Sequence, residues 1–262
     1  QALASIRQDT SESSDSFTPR WTRPSLLQSQ QLSASISAEA ALVWDLQRDT
    51  AVFQQNATQR YHPGSLVKLM TAYVAAQEYA LDEKVTIDRE VFTVGTVIDF
   101  SEGAELTVGE LLTALLIQSG NDAALALADH HPGGYEAFVR EMNTTASALD
   151  MTKTQFTNPS GLDESLQRTT ADDLRRLTVA VFANPELRSR MSKSAARICT
   201  ADELRCYQVW HTHQLLSQER VIAGKTGTTP LAGEALVTVT EDDLLVILLQ
   251  SQSRYADTEL LL

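Results

Sequence analysis

The sequence predicts an α+β fold, with one antiparallel sheet built from both ends of the chain and a helical lobe inserted between them. Three observations lead there. Short apolar runs bounded by turn residues occur near residues 40–54 and again after residue 194. Between them, apolar residues recur at helical spacing. The chain of 262 residues is 43% apolar and 21% charged, an ordinary globular balance that excludes wholesale disorder.

Residues 1–37 stand apart, with ten serines and five glutamines and little apolar periodicity. They read as a linker or disordered tail of which only the end docks on the fold. Residues 38–262 read as one domain, with 38–84 and 184–262 as the sheet region and 85–183 as the mainly helical lobe. Residues 40–46 and 51–54 form a hairpin around Gln47-Arg48-Asp49-Thr50. His62-Pro63-Gly64 breaks the chain. A helix follows over 65–80, with Leu66, Leu69, Met70, Tyr73 and Val74 on one face. Residues 105–129 read as helical, opened by Thr107 with Glu110 three positions later, a capping box. Gly120 interrupts this stretch, and 122–129 resumes it. Residues 134–149 form another helix, carrying Tyr135, Phe138, Val139 and Met142, and Thr170 with Asp173 opens one that runs to about 182. Strands are then expected at 198–199 and 206–210, around a turn at 201–204. Further strands are expected at 221–226, 234–240 and 244–250, the last two joined at Asp242-Asp243. Residues 254–262 begin a final helix.

The net charge is −13, with 34 acidic against 21 basic residues, which opposes binding to nucleic acid or to an anionic membrane surface. No apolar run approaches the roughly 18 residues of a membrane helix. The first residue is Gln1 rather than Met, so an upstream segment is expected to have been removed, by processing or by cloning, and the sequence leaves open whether it was a signal peptide or an anchor.

Three short motifs carry potential chemistry. In Ser65-Leu66-Val67-Lys68 the outer residues are three apart and share a helix face. A serine hydroxyl becomes a good nucleophile when a neighbouring base takes its proton, and a lysine does so if burial and another cation lower its pKa. Ser119-Gly120-Asn121 lies in a helix break that can project both side chains into a cleft. Ser119 is placed to shuttle a proton to a leaving amine, and Asn121 to bond a substrate amide and hold Lys68. Lys225-Thr226-Gly227 lies in an expected strand. Lys225 supplies the second cation, Thr226 and Thr228 offer hydroxyls to a carboxylate, and Gly227 is expected to let a substrate backbone lie close. Each motif alone is weak; together and in this order they form the signature shared by penicillin-binding proteins and class A β-lactamases.

The chain resembles the serine D-alanyl-D-alanine carboxypeptidases, the low-molecular-mass penicillin-binding proteins. Beyond the motifs, the likeness includes Pro63-Gly64-Ser65-Leu66-Val67-Lys68-Leu69-Met70, Phe156-Thr157-Asn158-Pro159-Ser160-Gly161-Leu162-Asp163, and His213-Gln214-Leu215-Leu216 ahead of Ala223-Gly224-Lys225-Thr226-Gly227-Thr228. It implies a β-lactamase/transpeptidase-like fold and a cell-wall peptidase. Ser65 would attack the bond between two D-alanines of a peptidoglycan stem peptide, with Lys68 as general base. The amides of Ser65 and Thr228 would form the oxyanion hole. β-Lactams would acylate Ser65, and the substrate places the chain outside the cytoplasm. Arg254 is expected to assist carboxylate binding by analogy, or else to make a surface salt bridge. No cofactor or metal is implied. The family's frequent second, β-rich domain and amphipathic anchor have no counterpart before Leu262, and His213 stands where the family commonly has Asn.

Cys199 and Cys206 flank the expected turn at 201–204 and face each other as a disulfide candidate. Two free thiols, or zinc bound with His211 and His213, are the alternatives; strand alternation opposes zinc. Endopeptidase, transpeptidase or β-lactamase activity on the same fold, or a non-catalytic wall-binding or β-lactam-sensing domain, are the competing functions. The β-lactamase reading lacks a Glu-x-x-x-Asn between Asn121 and Lys225.

Overall fold

A computed structural model describes residues 26–88, 94–218 and 220–262. In chain order it contains α1 (Leu26–Ser35), β1 (Ala40–Asp45), β2 (Thr50–Gln55), α2 (Lys68–Glu78), β3 (Lys84–Thr86) and β4 (Glu105–Thr107). These are followed by α3 (Val108–Thr113), α4 (Asn121–Asp129), α5 (Gly134–Ala148), α6 (Ala171–Ala183) and α7 (Pro185–Met191). The chain finishes with β5 (Ala195–Cys199), β6 (Cys206–Trp210), β7 (Val221–Thr229), β8 (Gly233–Thr240), β9 (Leu244–Ser251) and α8 (Arg254–Leu261).

The main sheet has the order β2-β1-β9-β8-β7 with antiparallel neighbours, so the N-terminal hairpin pairs with the last strand. The apolar run of β9 has two destinations. Leu245, Ile247 and Leu249 face the large core shared with the helical lobe, while Leu244, Val246 and Leu248 face a smaller core on the other side. A strand covered on both faces needs a near-continuous apolar run, and β9 supplies one. The large core holds Leu69 and Met70 of α2, Leu127 of α4, Phe138 of α5 and Leu177 of α6.

Four features depart from the sequence expectation. Residues 26–35, expected in the linker, form α1, whose Leu32 packs with Ile36, Tyr255 and Leu261 on the outer face of the sheet. Its weak periodicity carries no such signal; the sheet supplies the partner. The rest of the expected linker, residues 1–25, lies outside the described residues. In the region expected to be sheet, α7 opens on Asn184, whose side chain accepts from the amides of Glu186 and Leu187, with Pro185 in the first turn. In the expected helical lobe, β3 and β4 pair Val85 with Leu106. The expected helix from residue 65 divides into a 3₁₀ turn, Gly64–Val67, followed by α2.

β5 and β6 make a separate hairpin in which Cys199 and Cys206 are directly opposed and joined by a disulfide. The amide of Ala201 bonds to the carbonyl of Glu105 and ties this hairpin to β4.

Candidate active site

The site forms where the start of α2, the junction between α3 and α4, and the edge strand β7 converge. Ser65 is half-buried in the tight turn before α2, and Lys68 one turn later is fully buried. Lys68 Nζ lies 3.0 Å from Ser65 Oγ, 2.6 Å from Asn121 Oδ1 and 2.5 Å from the carbonyl oxygen of Ser160. Burial first, then the neighbouring Lys225, hold the Lys68 pKa well below its ordinary value, with Asp122 opposing them. The net direction favours a neutral amine, the form that can take a proton.

Thr107 and Glu110 close the capping box that starts α3. The helix then widens into a π-type turn over Ala114–Gln118 and ends at Ser119, which adopts the left-handed conformation with φ 66°. A non-glycine residue there costs about 1 kcal/mol and is held by its surroundings. The reversal lets α4 begin at Asn121 and aims Ser119 and Asn121 at Lys225 and Lys68. Asn121 donates from Nδ2 to the carbonyl of Val94 at 2.5 Å, so its Oδ1 is left to accept from Lys68. Asp122 accepts from the amides of Ile98 and Asp99 and binds that segment to the start of α4.

On β7, Lys225 is fully buried and donates to Ser119 Oγ at 2.8 Å and to the Thr226 carbonyl at 2.9 Å. Burial, then the Arg254 guanidinium, pull its pKa down from 10.5 to about 7. Thr226 Oγ1 lies 2.6 Å from Thr212 Oγ1, and Thr228 is exposed at the strand edge. Gly227 also meets a close contact within the protein. A Cβ there would lie 2.8 Å from the carbonyl oxygen of Pro63 and 3.1 Å from the amide nitrogen of Ser65. The missing side chain makes room for the Pro63–Leu66 turn that carries Ser65. From the other side, a Cβ on Gly64 would lie 3.3 Å from the amide nitrogen of Thr228, so the Ser65 and Thr228 amides flank one contact.

Arg254 sits behind the strand rather than on the surface. Its Nη1 donates to the carbonyls of Gly227 at 2.9 Å and Ala235 at 3.2 Å, and Nε lies 3.6 Å from Glu234. His213 is buried over Gly224, where a Cβ would come within 2.3 Å of its ring, and its Nε2 bonds to Thr238 Oγ1 at 2.7 Å. Burial, Lys225 and His213 push the His211 pKa down to about 3; burial and Arg254 push His213 down to about 4. The disulfide occupies both cysteines at the far end of the β5–β6 hairpin, leaving these imidazoles without a thiolate partner.

The sequence pattern of the peptidase S11 family, described as D-alanyl-D-alanine carboxypeptidase, matches residues 27–249. The chain belongs to this family. The S11 relative DacC of Escherichia coli K12, a D-alanyl-D-alanine carboxypeptidase, is 32% identical over 227 residues, covering 81% of this chain and 56% of the relative. The chain thus spans little more than half the length of that relative. A mutant of the Streptomyces K15 DD-transpeptidase superposes with a TM-score of 0.80 at 27% identity, covering 87% of this chain and 97% of the other. Penicillin-binding protein D2 of Listeria monocytogenes, in its ampicillin-bound form, gives a TM-score of 0.73 at 30% identity, covering 86% and 95%.

Within this S11 domain, the sequence motifs omit a partner supplied by the backbone. The segment 156–163 lies against α2, where Ser160 gives its carbonyl to Lys68 and Pro159 gives its own to Thr71 at 2.6 Å. Asn158 braces the bend, its Oδ1 accepting from Ser160 Oγ, the Gly161 amide and Gln167 Nε2. Gly161 has φ 88°, and a Cβ there would meet the Gly64 carbonyl at 2.1 Å. Asp163 accepts from Thr229 Oγ1 and the Leu231 amide and fastens the segment to the β7–β8 turn. A carbonyl has no sequence signature; Asn158-Pro159 marks the bend but not its target.

Proposed function

We propose that the chain is a serine DD-carboxypeptidase that removes the terminal D-alanine of peptidoglycan stem peptides through an acyl-enzyme on Ser65. One observation carries this reading. Of the three groups around Lys68 Nζ, Asn121 Oδ1 and the Ser160 carbonyl can only accept, whereas Ser65 Oγ can also donate. A neutral amine has two N–H groups and one lone pair. The N–H groups go to Asn121 and Ser160, and the lone pair faces the Ser65 proton.

Ser65 Oγ attacks the carbonyl between the two D-alanines as Lys68 takes the Oγ proton. The Ser65 and Thr228 amides receive the developing oxyanion. Ser119 Oγ accepts a hydrogen bond from Lys225, so its own proton is available to the departing amine of D-alanine, and the proton that Lys68 took from Ser65 restores it. Water then releases the acyl group. The substrate's terminal carboxylate is read by Thr226, with the positive field of Lys225 and Arg254 behind it. β-Lactams, which resemble the substrate, acylate the same serine. Such a substrate lies outside the cytoplasm, so the chain acts as an exported enzyme.

Among the described residues, none of the hydrogen-bond partners of Lys68 is a carboxylate. That opposes fast hydrolysis of a penicilloyl ester and so the β-lactamase alternative. Endopeptidase or transpeptidase activity needs only a different leaving or accepting amine at the same serine.

Intact mass after incubation with benzylpenicillin, for wild type and Ser65→Ala, tests the reading. One penicilloyl adduct on wild type alone is expected, with steady D-alanine release from a diacyl-Lys-D-Ala-D-Ala peptide. Stable acylation without release favours the sensing domain; no adduct on a folded wild type sinks the enzyme.

A further inference from the structure

Thr212 follows β6 and sits between the half-buried His211 and the buried His213, outside all three motifs. Its side-chain oxygen lies 2.6 Å from Thr226 Oγ1. Its amide bonds to the carbonyl of Ile117, just ahead of Ser119, and its carbonyl accepts from Tyr255 Oη at 3.1 Å, next to Arg254. One residue therefore joins the Ser119 turn, the Lys225 strand and the Arg254 helix.

The hydrogen count gives this contact a consequence. Two hydroxyls carry two protons, and their mutual bond uses one. Neither hydroxyl makes another hydrogen bond among the described residues. Thr226 is 6% exposed and Thr212 is half-buried, so the second proton has few places to point other than the cleft. We propose that Thr212 is a positioning residue that turns the hydroxyl pair toward the terminal carboxylate of the substrate and so sets selectivity for a free C-terminus. The proposal rests on the carboxypeptidase reading above. Backbone ties on both sides of Thr212 hold its hydroxyl in place, which makes the pair a prepared donor rather than two rotors to be ordered on binding.

The test uses two acyl-glycyl thioesters with the same acyl group. One has a leaving thiol bearing a free carboxylate, and the other its methyl ester. Thiol release is followed for wild type, T212V, T212A and T212S. Expected is a loss in kcat/KM of roughly tenfold or more on the carboxylate substrate for T212V and T212A, the scale of one donor to an ionised acceptor. The methyl ester should change less than about twofold, and T212S should restore the carboxylate rate. Equal losses on both substrates, no loss on either, or failure of T212S to rescue overturns the role of Thr212. T212A keeps the test open if the valine variant folds poorly. Benzylpenicillin separates the two levels. A wild type that forms no adduct overturns the carboxypeptidase reading and this proposal together, while a normal adduct with unselective variants overturns the proposal alone.

Discussion

Gly227→Ala tests the idea that β7 sets the position of the nucleophile. The added methyl would sit 2.8 Å from the Pro63 carbonyl oxygen, 3.1 Å from the Ser65 amide nitrogen and 3.2 Å from that of Leu66. All three neighbours are backbone, so relief requires the strand or the turn to retreat by roughly half an ångström toward ordinary contact. Overpacking of this kind costs about 1–3 kcal/mol, or a melting shift of about 2–12 °C for a domain of this size. The cost to chemistry is larger. The retreat moves Ser65 relative to Lys68 and to the Thr228 amide, and misplacements of this order reduce rates by about 100-fold. Stopped-flow acylation with a fluorescent penicillin, alongside a thermal melt, measures both. Gly103→Ala is the control, because its φ is 75° and a Cβ there meets nothing within 4 Å. It should lose about 1 kcal/mol to backbone strain and keep its acylation rate. Acylation by Gly227→Ala within about threefold of wild type would show that this contact does not position Ser65.

Two further outcomes follow from buried polar groups. Asn158→Ala strips one acceptor from Ser160 Oγ, the Gly161 amide and Gln167 Nε2, so it should cost about 3 kcal/mol, lower the melting temperature by roughly 6–12 °C, and slow acylation by loosening the Ser160 carbonyl on Lys68; unchanged acylation in a destabilised variant would separate the bend from catalysis. His213→Asn should reduce acid sensitivity. The folded pKa of about 4 lies below the unfolded value of 6.5, so below about pH 6.5 the unfolded chain binds a proton that the folded chain refuses. Stability is therefore lost as pH falls from about 6.5 to about 4, by up to about 3 kcal/mol from this group. His211, Lys225 and Arg254 remain in the variant, and His211 still contributes a loss of the same sign. Urea midpoints at about pH 7 and about pH 4.5 measure it; an equal acid loss in both proteins would remove His213 as its source.

The sheet and the candidate site groups were largely legible because each leaves a local mark. The continuous apolar run of β9 and the alternation in β8 reflect faces that must be covered, and Thr107 with Glu110 marks a helix start by its own side chains. Ser65 with Lys68, Ser119 with Asn121, and Lys225 with Gly227 are short-range patterns whose residue types limit the chemistry. Their meeting point was a different matter. Lys68 and Asn121 are far apart in sequence yet 2.6 Å apart in space, and no local pattern encodes that distance.

The sequence by itself determined the residue types, their order and the strand-helix-strand arrangement, because propensity, capping and burial periodicity act over a few residues. Only the tertiary structure decided which backbone atoms complete the site. The Ser160 carbonyl accepts from Lys68, the Pro63–Ser65 turn packs against Gly227, and Thr212 finds Thr226 across two chain segments. It also gave α1 a partner, since a weakly periodic helix is stable only against the face that covers it. Carbonyls, amides and empty Cβ positions are common to every residue, so their roles follow from packing alone.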